Sequence, residues 1–330
     1  MRYYDIIITP PSGSKAKARQ WSSYPKGLTG PFDPGALNIE FDVLVYQNHV
    51  PDGGSSITIE GIALEDLLQA DQFGSERGPY WTIEVSGGMG PGLPLNNPKQ
   101  VGLLFKGDIY QSFGNWQGTE MTLEFVLNPG GGTQDSPKPI VFNNKAGTPM
   151  KPALAQCFST AFPGMKQQID IGSNWVQNHD EVGYYHSLDG LAQAIADITD
   201  PMFPDIQGVR ITLQNGTIRV SDGTKKTNPI QIDFLDLVGQ PTWIEIDTMQ
   251  IKMVMRGDLD VGSSIKLPAG MQNIPGFVQT TAASLPSSQK YKSTFQGVFE
   301  IIGLRHLGNF RSSDGAQWVT IATCVTPGAA

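Results

Sequence analysis

The fold of this chain is decided by residues 37–45, LNIEFDVLV, in which apolar and polar side chains alternate. The apolar positions on one side are Leu37, Ile39, Phe41, Val43 and Val45. Polar Asn38, Glu40 and Asp42 fall between them. Because successive side chains of a β-strand point to opposite faces of a sheet, this period of two predicts a half-buried strand.

The same alternation recurs along most of the chain. It is clear in residues 121–127 and 251–255. Further strands are predicted at 4–9, 57–61, 80–85, 103–112, 242–247, 264–267, 298–305 and 318–325. The 38 glycines and 24 prolines are scattered between these runs, which is typical of turns that join short strands. The fold class is therefore predicted to be mainly β.

The middle of the chain has a different pattern and predicts a small α+β insert. Apolar residues at helical spacing predict helices over 150–161 and 188–198, the second capped by Ser187. Asn215-Gly216 between two short apolar runs predicts a hairpin. The predicted domains are a first β module at 1–147, the insert at 148–229 and a second β module at 230–330.

The two β modules end alike, which suggests a duplicated unit. The strand at 104–109 is followed by Gly114-Asn115-Trp116, and the strand at 299–304 by Gly308-Asn309-Phe310. Each is predicted to be a strand, a Gly-Asn-aromatic turn and a second strand. A large apolar side chain at such a tip has little core to enter, so Trp116 and Phe310 are predicted interface residues, with local packing as the alternative.

Composition argues against several classes of function. The net charge is −8, and Lys15, Lys17 and Arg19 form only a short solvated cluster, so sequence-specific nucleic-acid binding is not expected. The sequence contains no run of 18 apolar residues, so no membrane-spanning segment is predicted. Cys157 and Cys324 are far apart and are predicted to be buried, reduced thiols of a protein made in a cytoplasm.

No motif predicts catalysis, and no catalytic, cofactor-binding or metal residue is assigned. The four histidines form no metal pair at helical spacing. His186, Ser187 and Asp189 are too close in sequence to converge as a triad. Residues 258–262 resemble a calcium loop but lack its closing glutamate, so a polar turn is predicted. The chain is therefore not expected to be an enzyme.

Several segments resemble the baseplate central hub proteins of contractile-tailed phages, the Mu-like and related myophage hub family. They are residues 33–43, 104–109, 237–241, 258–267 and 297–301, with His306, Gly308, Asn309, Arg311 and Trp318. The asparagine and proline that the family often has near Arg256 and Gly257 are absent here, which leaves that turn open. The roles of the loops at 85–98 and 268–290 also stay open.

The resemblance implies a structural role. Such hubs carry two tube-like β-barrel modules per chain, related by duplication and joined by a mixed insert. Three chains form a homotrimer with six modules in a ring, which adapts the sixfold tail tube to the threefold spike. Three copies would carry a formal charge of about −24, three times the −8 of one chain. If enough of that charge lines the channel, DNA would pass without adsorbing during ejection.

The implied partners are the spike protein and the tail tube or distal tube protein, with the tape measure and baseplate wedge proteins as further candidates. The implied location is the baseplate of the virion, after assembly in the host cytoplasm. Two alternatives stay open. One is another tube-derived component, such as a distal tail ring or the hub part of a type VI secretion spike. The other is a tail-associated hydrolase.

Overall fold

The structure is a computed structural model. It describes residues 1–47, 54–74, 80–92, 95–132, 137–203, 208–225, 228–245, 247–268, 279–280 and 297–326. His49 and most of the loop at 268–290 lie outside these residues.

The described residues form strands along nearly the whole chain, and the mainly β prediction is confirmed. The strands are β1 (Arg2–Thr9), β2 (Arg19–Ser22), β3 (Asn38–Tyr46), β4 (Ser55–Glu60), β5 (Thr82–Met89), β6 (Gly102–Gln117), β7 (Glu120–Asn128), β8 (Ile140–Asn144), β9 (Lys166–Asp170), β10 (Glu181–Tyr185), β11 (Arg210–Gln214), β12 (Thr217–Ser221), β13 (Ile230–Gln231), β14 (Thr242–Trp243), β15 (Thr248–Val254), β16 (Ser264–Lys266), β17 (Gln279–Thr280), β18 (Val298–Asn309) and β19 (Trp318–Val325).

The helices are α1 (Leu64–Leu67), α2 (Ala70–Phe73), α3 (Met150–Ala161) and α4 (Leu188–Thr199), with 3-10 turns at Phe234–Asp236 and Gly315–Gln317. Both helices predicted in the insert are confirmed as α3 and α4. Ser187 caps α4 as predicted, because its hydroxyl accepts a hydrogen bond from the Gly190 N–H at 3.2 Å.

One 14-stranded sheet joins the two β-rich halves of the chain. Its main path runs β17-β14-β15-β19-β18-β3-β4-β7-β6-β5-β1-β2. The halves meet where β18 pairs antiparallel with β3, from Gly303 opposite Tyr46 to Asn309 opposite Glu40. The alternating residues at 37–45 therefore form most of the strand that connects the halves, β3.

The first half of the sheet curls around one core. Ile39, Phe41 and Val43 of β3 are buried and Glu40 is exposed, as the alternation predicts. They share a core with Tyr4, Ile6 and Ile8 of β1, although β1 lies five strands from β3 in the sheet order. Only a curled sheet brings both strands to the same core.

The insert has its own core, built by α3, α4 and strands β8 to β12. The predicted hairpin is confirmed, with Asn215 at φ 51° and Gly216 at φ 70° between β11 and β12. Asp222 ties the connections together, since its carboxylate accepts bonds from the Gly172 N–H and the Trp175 Nε1–H, both at 2.7 Å. Burial raises the pKa of Asp222, but these bonds and those from Thr224 outweigh it and lower the pKa below its usual range.

A third core lies in the second half and contains Trp243, Ile251, Phe299 and Cys324. Val45 of β3 packs in this core, so β3 contributes side chains to the cores of both halves. Ile140 and Phe142 of β8 pack in the insert core, although they precede the predicted boundary at 147. The domain boundaries at 147 and 229 stay predictions.

The predicted turn at Gly114-Asn115-Trp116 is wrong. These residues continue β6, where Gly114 pairs with Leu123 and Trp116 with Met121. The chain turns at Gly118, which adopts φ 61°. Gly114 serves a different need, because a Cβ there would lie 3.0 Å from the Cβ of Ala70 in α2. The duplication of the two modules stays a prediction.

Candidate assembly site

Arg256 is the centre of a buried polar junction between the two halves. Its side chain is 2% exposed. The Nε and Nη2 atoms donate to Oδ1 and Oδ2 of Asp258, both at 2.7 Å, and Nη1 donates to Oδ2 of Asp236 at 3.2 Å. Gln100, from the first half, donates to the other oxygen of Asp236 at 3.0 Å. Asp236 therefore connects the Arg256 guanidinium to Gln100, which is distant in sequence.

Two glycines let the backbones touch beside Arg256. The Gly257 N–H donates to the Gln100 carbonyl at 2.8 Å. A Cβ added to Gly102 would lie 2.8 Å from the Gly257 carbonyl oxygen, and one added to Gly257 would lie 2.6 Å from the Gly102 carbonyl carbon. Any side chain at either position would separate the two halves.

The C-terminal hairpin, β18 and β19, is fastened to the first half by the residues that carried the resemblance. Trp318 Nε1 donates to the Gly88 carbonyl at 2.9 Å. The Arg311 N–H donates to Oδ1 of Asn38 at 3.0 Å, and its guanidinium donates to the Ala36 carbonyl. Arginine and tryptophan at these positions therefore each donate hydrogen bonds across the boundary to the first half.

Arg2 also connects the first half to the C-terminal hairpin, and this role was not predicted from the sequence. Its guanidinium donates to the carbonyls of Ser312 at 2.6 Å and Asp314 at 2.7 Å, and also to that of Asn309. It lies 5.8 Å from the centre of the Trp318 ring. Burial lowers the pKa of Arg2 from its ordinary value. No local pattern could have revealed it, because its partners lie at the other end of the chain.

His306 is buried behind the same hairpin. One ring nitrogen, Nδ1, lies 3.0 Å from the Thr320 hydroxyl, which in turn donates to the Arg256 carbonyl at 3.1 Å. Burial lowers the pKa of His306 to about 4, so the ring is neutral at pH 7.

The two predicted interface residues have different surroundings. Phe310 packs against the first core and meets the Tyr4 ring edge-on, with the ring centroids 4.8 Å apart. Trp116 is 61% exposed, and its Nε1 donates to the Gly118 carbonyl at 2.9 Å. The interface role of both residues stays a prediction.

Trp116 lies on the face of β6 that packs against α1. Residues 114 and 116 of β6 share a face, and a Cβ on Gly114 would lie 3.0 Å from Leu67 of α1. The helix α1 also exposes Leu64, and Leu68, the residue that follows the helix, is 75% exposed. We name Leu64, Leu68 and Trp116 the Trp116 patch.

Two further exposed apolar groups were missed from the sequence. The 3-10 turn Phe234–Asp236 exposes Phe234 by 57% and Leu235 by 69%. Val141, Val182 and Tyr184 are exposed on one face of the β8–β10 pair, with Tyr184 opposite Val141. The alternation of apolar residues in β10 can be recognised in the sequence. It would have placed Val182 and Tyr184 on a buried face, whereas the structure exposes them.

The groups considered for catalysis or metal binding have structural partners. Asp258 pairs with Arg256, and Asp260 pairs with Arg219 at 2.9 Å. His179 lies 3.3 Å from Glu181 at the surface. In the part of the chain that the structure describes, no group of three His, Cys, Asp or Glu side chains is placed to hold a metal ion. Cys157 and Cys324 are free and buried, as predicted.

Among the described residues, no helix combines the length and the apolar character that crossing a membrane requires. No family model matches this chain, and no curated protein matches it.

The fold of this chain is similar to that of solved structures. The chain shares its mainly β fold with phage tail and related secretion proteins. One is a tail protein from Neisseria meningitidis MC58, with a TM-score of 0.52, 10% identity, and coverage of 98% of this chain and 97% of that one. Another is the E. coli c3393 protein, described as a component of the type VI secretion system with structural similarity to T4 bacteriophage tail proteins gp27 and gp5. Its TM-score is 0.51, with 11% identity and coverage of 91% of this chain and 75% of that one.

We predict that Arg256→Ala lowers the free energy of unfolding by roughly 3–5 kcal/mol, because it leaves the carboxylates of a buried ion pair without their cation. Urea unfolding followed by tryptophan fluorescence measures the change. The matched control is Arg305→Ala, whose exposed pair with Asp42 at 2.8 Å should contribute only about 0–1 kcal/mol. Equal effects of the two substitutions would contradict a junction that depends on Arg256.

We predict that His306 makes the protein less stable as the pH falls from about 6.5 to about 4. In this window the unfolded chain binds a proton that the folded chain excludes, so stability present above pH 6.5 is lost on acidification and the loss ends near pH 4. The expected loss in the free energy of unfolding is about 3 kcal/mol, which follows from the shift of the pKa of His306 to about 4. His306→Asn retains a polar group near Thr320 and cannot titrate.

Asp108 and Glu300 act in the opposite direction, because burial raises the pKa of each. The measurement is therefore the difference between wild type and His306→Asn in urea unfolding at a series of pH values. Parallel pH profiles of the two proteins would show that His306 does not contribute.

Proposed function

We propose that this chain is a structural hub of a contractile phage tail baseplate, a homotrimer that joins the sixfold tail tube to the threefold spike. The observation that carries the proposal is the single sheet that fixes two β-rich halves to each other through β3 and β18. An adaptor of this kind needs two β units per chain at a constant relative position. The similarity of the fold to tail proteins supports the same role.

The junction suits a part that transmits load without changing shape. The paired Arg256 and the touching backbones of Gly102 and Gly257 leave no hinge between the halves. A buried polar network that crosses the boundary between the halves favours one specific arrangement. The proposal assigns the chain no bond-making step.

The exposed apolar surfaces are the proposed contacts with other subunits. A monomeric protein seldom exposes side chains as large as Trp116 and Leu68 together, and apolar patches of this kind mark binding surfaces. We assign the Trp116 patch to contact between subunits or with the spike or tube protein. Tape measure and baseplate wedge proteins are further candidate partners.

The outer face of β3, β4 and β7 is the proposed wall of a DNA channel. Glu40, Thr58 and Glu124 lie side by side on this face, with Asp42 in the next row on β3. Arg305, a cation beside this face, is paired with Asp42. An acidic wall disfavours adsorption of DNA, so a neutral or basic wall in the assembled ring would contradict this assignment.

A second candidate is another tube-derived component, namely a distal tail ring or the hub part of a type VI secretion spike. The similarity to the E. coli secretion component favours keeping this candidate. The hub and the distal ring differ in copy number, since the hub is expected to be trimeric and the distal ring hexameric.

We predict a solution mass of about 107 kDa by light scattering, three times the 35.7 kDa of one chain. Three copies would match the symmetry of a spike. A hexamer would favour the distal ring, and a monomer at all accessible concentrations would contradict assembly of the chain by itself.

We predict that Trp116→Ala weakens assembly without lowering the melting temperature, because the indole is largely exposed within one chain. Phe310→Ala is the matched variant and should lower the melting temperature, since Phe310 packs against Tyr4 in the first core. Light scattering and calorimetry on both variants give the two readouts. Unchanged assembly of Trp116→Ala would remove the Trp116 patch from the interface.

A further inference from the structure

The insert packs around a core of its own, whereas the two halves share theirs. The buried residues of the insert core all lie between Ile140 and Val220. By contrast, Met255 and Trp318 of the second half pack in the first core, and Val45 of the first half packs in the third. Within the part of the chain that the structure describes, no buried apolar cluster is therefore common to the insert and either half.

The β11–β12 hairpin of the insert contacts both halves through polar side chains. Gln214 is buried, and its Nε2 donates to the Leu259 carbonyl at 3.2 Å while its Oε1 accepts the Val261 N–H at 2.9 Å. The next residue, Asn215, donates to the Leu103 carbonyl of the first half at 3.2 Å. Each of these bonds can be exchanged for a bond to water if the hairpin withdraws, so the net cost of breaking it is modest.

Opposite charges also attract each other across the boundary of the insert. Arg219 of β12 pairs with Asp260 of the second half at 2.9 Å, and both side chains are partly exposed. Lys138 is bound to the insert through its N–H, which donates to the His186 carbonyl at 2.8 Å. Burial raises the pKa of Asp108 in the first half, and the charge of Lys138 opposes that rise. Salt weakens such attractions at a partly exposed boundary.

Glycines in the left-handed conformation lie where the chain enters and leaves the insert. Gly130 adopts φ 93°, two residues after β7 ends at Asn128. Gly223 adopts φ 69°, two residues after β12 ends at Ser221. Because glycine has the widest range of backbone conformations, both connections can change direction at little cost.

We propose that the insert is a hinged arm, held closed by Gln214, Asn215 and Arg219, and that it swings away from the two halves as one body when these contacts open. We name the three residues the hairpin latch. Opening leaves all three cores intact, and the sheet that pairs β3 with β18 keeps the halves fixed. High ionic strength favours the open arm because it screens the ion pairs of the boundary. The motion takes place within one chain, so it goes beyond the proposed function and does not require the homotrimer.

The test is single-molecule energy transfer between two dyes on introduced cysteines. Val182→Cys in the insert and Leu68→Cys in the first half place the dyes at exposed positions. Leu68→Cys with Leu235→Cys is the matched control, because this pair spans the two halves without the insert. The native Cys157 and Cys324 are buried, and burial raises the pKa of Cys157 to about 11, so both react slowly with the dyes. Excess unlabelled chain restricts energy transfer to dyes on one copy.

An increase from about 0.1 M to about 1 M NaCl shortens the screening length from ~10 Å to ~3 Å. We expect it to populate a second transfer efficiency for the insert pair and to leave the control pair unchanged. Gln214→Ala should raise the open population roughly tenfold at the lower salt concentration, because two buried hydrogen bonds are lost. Gln193→Ala, an exposed position of α4, is the matched substitution and should have no effect.

A single transfer efficiency for the insert pair at every salt concentration, with and without Gln214→Ala, would overturn the proposal and show that the insert is fixed. Equal changes in the control pair would overturn it in favour of loosening throughout the chain. The salt titration leaves the latch residues unaltered, so it decides the question even if Gln214→Ala does not fold. Neither result alters the solution mass expected of the proposed homotrimer.

Discussion

Arg256 holds a positive charge where water cannot reach it, and one of the two carboxylates that compensate this charge also connects the second half of the chain to the first. Desolvation of a guanidinium costs several kcal/mol unless its hydrogen bonds are nearly all made. Asp258 supplies a bidentate partner from the adjacent turn, and Asp236 supplies a second carboxylate that Gln100 also holds. The network that compensates the charge therefore extends from the second half to Gln100 of the first half.

The remaining connections between the halves follow from that geometry. With Gly102 against Gly257, β18 lies beside β3, and the two sheets become one. The donors of Arg2, Arg311 and Trp318 then reach backbone carbonyls across the same boundary. Among the described residues, the exposed apolar surfaces include the turn at Phe234–Asp236, the Trp116 patch and one face of the β8–β10 pair. A rigid interior together with exposed apolar side chains is typical of proteins that bind other chains.

Local pattern was enough to predict most elements but few of the contacts between them. The strand at β3, the helices α3 and α4 and the Asn215-Gly216 turn each depend on neighbours in sequence, and each was predicted correctly. The turn at residues 114–116 was wrong because close packing of Gly114 on α2 decides its role. The exposed turn at Phe234–Asp236 and the roles of Arg2 and Arg256 could not be read from sequence, since their partners are set by the tertiary fold.

The pairing of β3 with β18 also constrains how the chain is made. A ribosome releases β3 long before β18, and Arg2 must wait for carbonyls as far as 312 residues away. During that interval one edge of an apolar strand has no native partner, which is a template for aggregation. Contacts so distant in sequence also slow folding. The single continuous sheet that makes the finished chain stiff therefore leaves the nascent chain incomplete until its C-terminal hairpin has been synthesised. Chains truncated before this hairpin are expected to aggregate on expression.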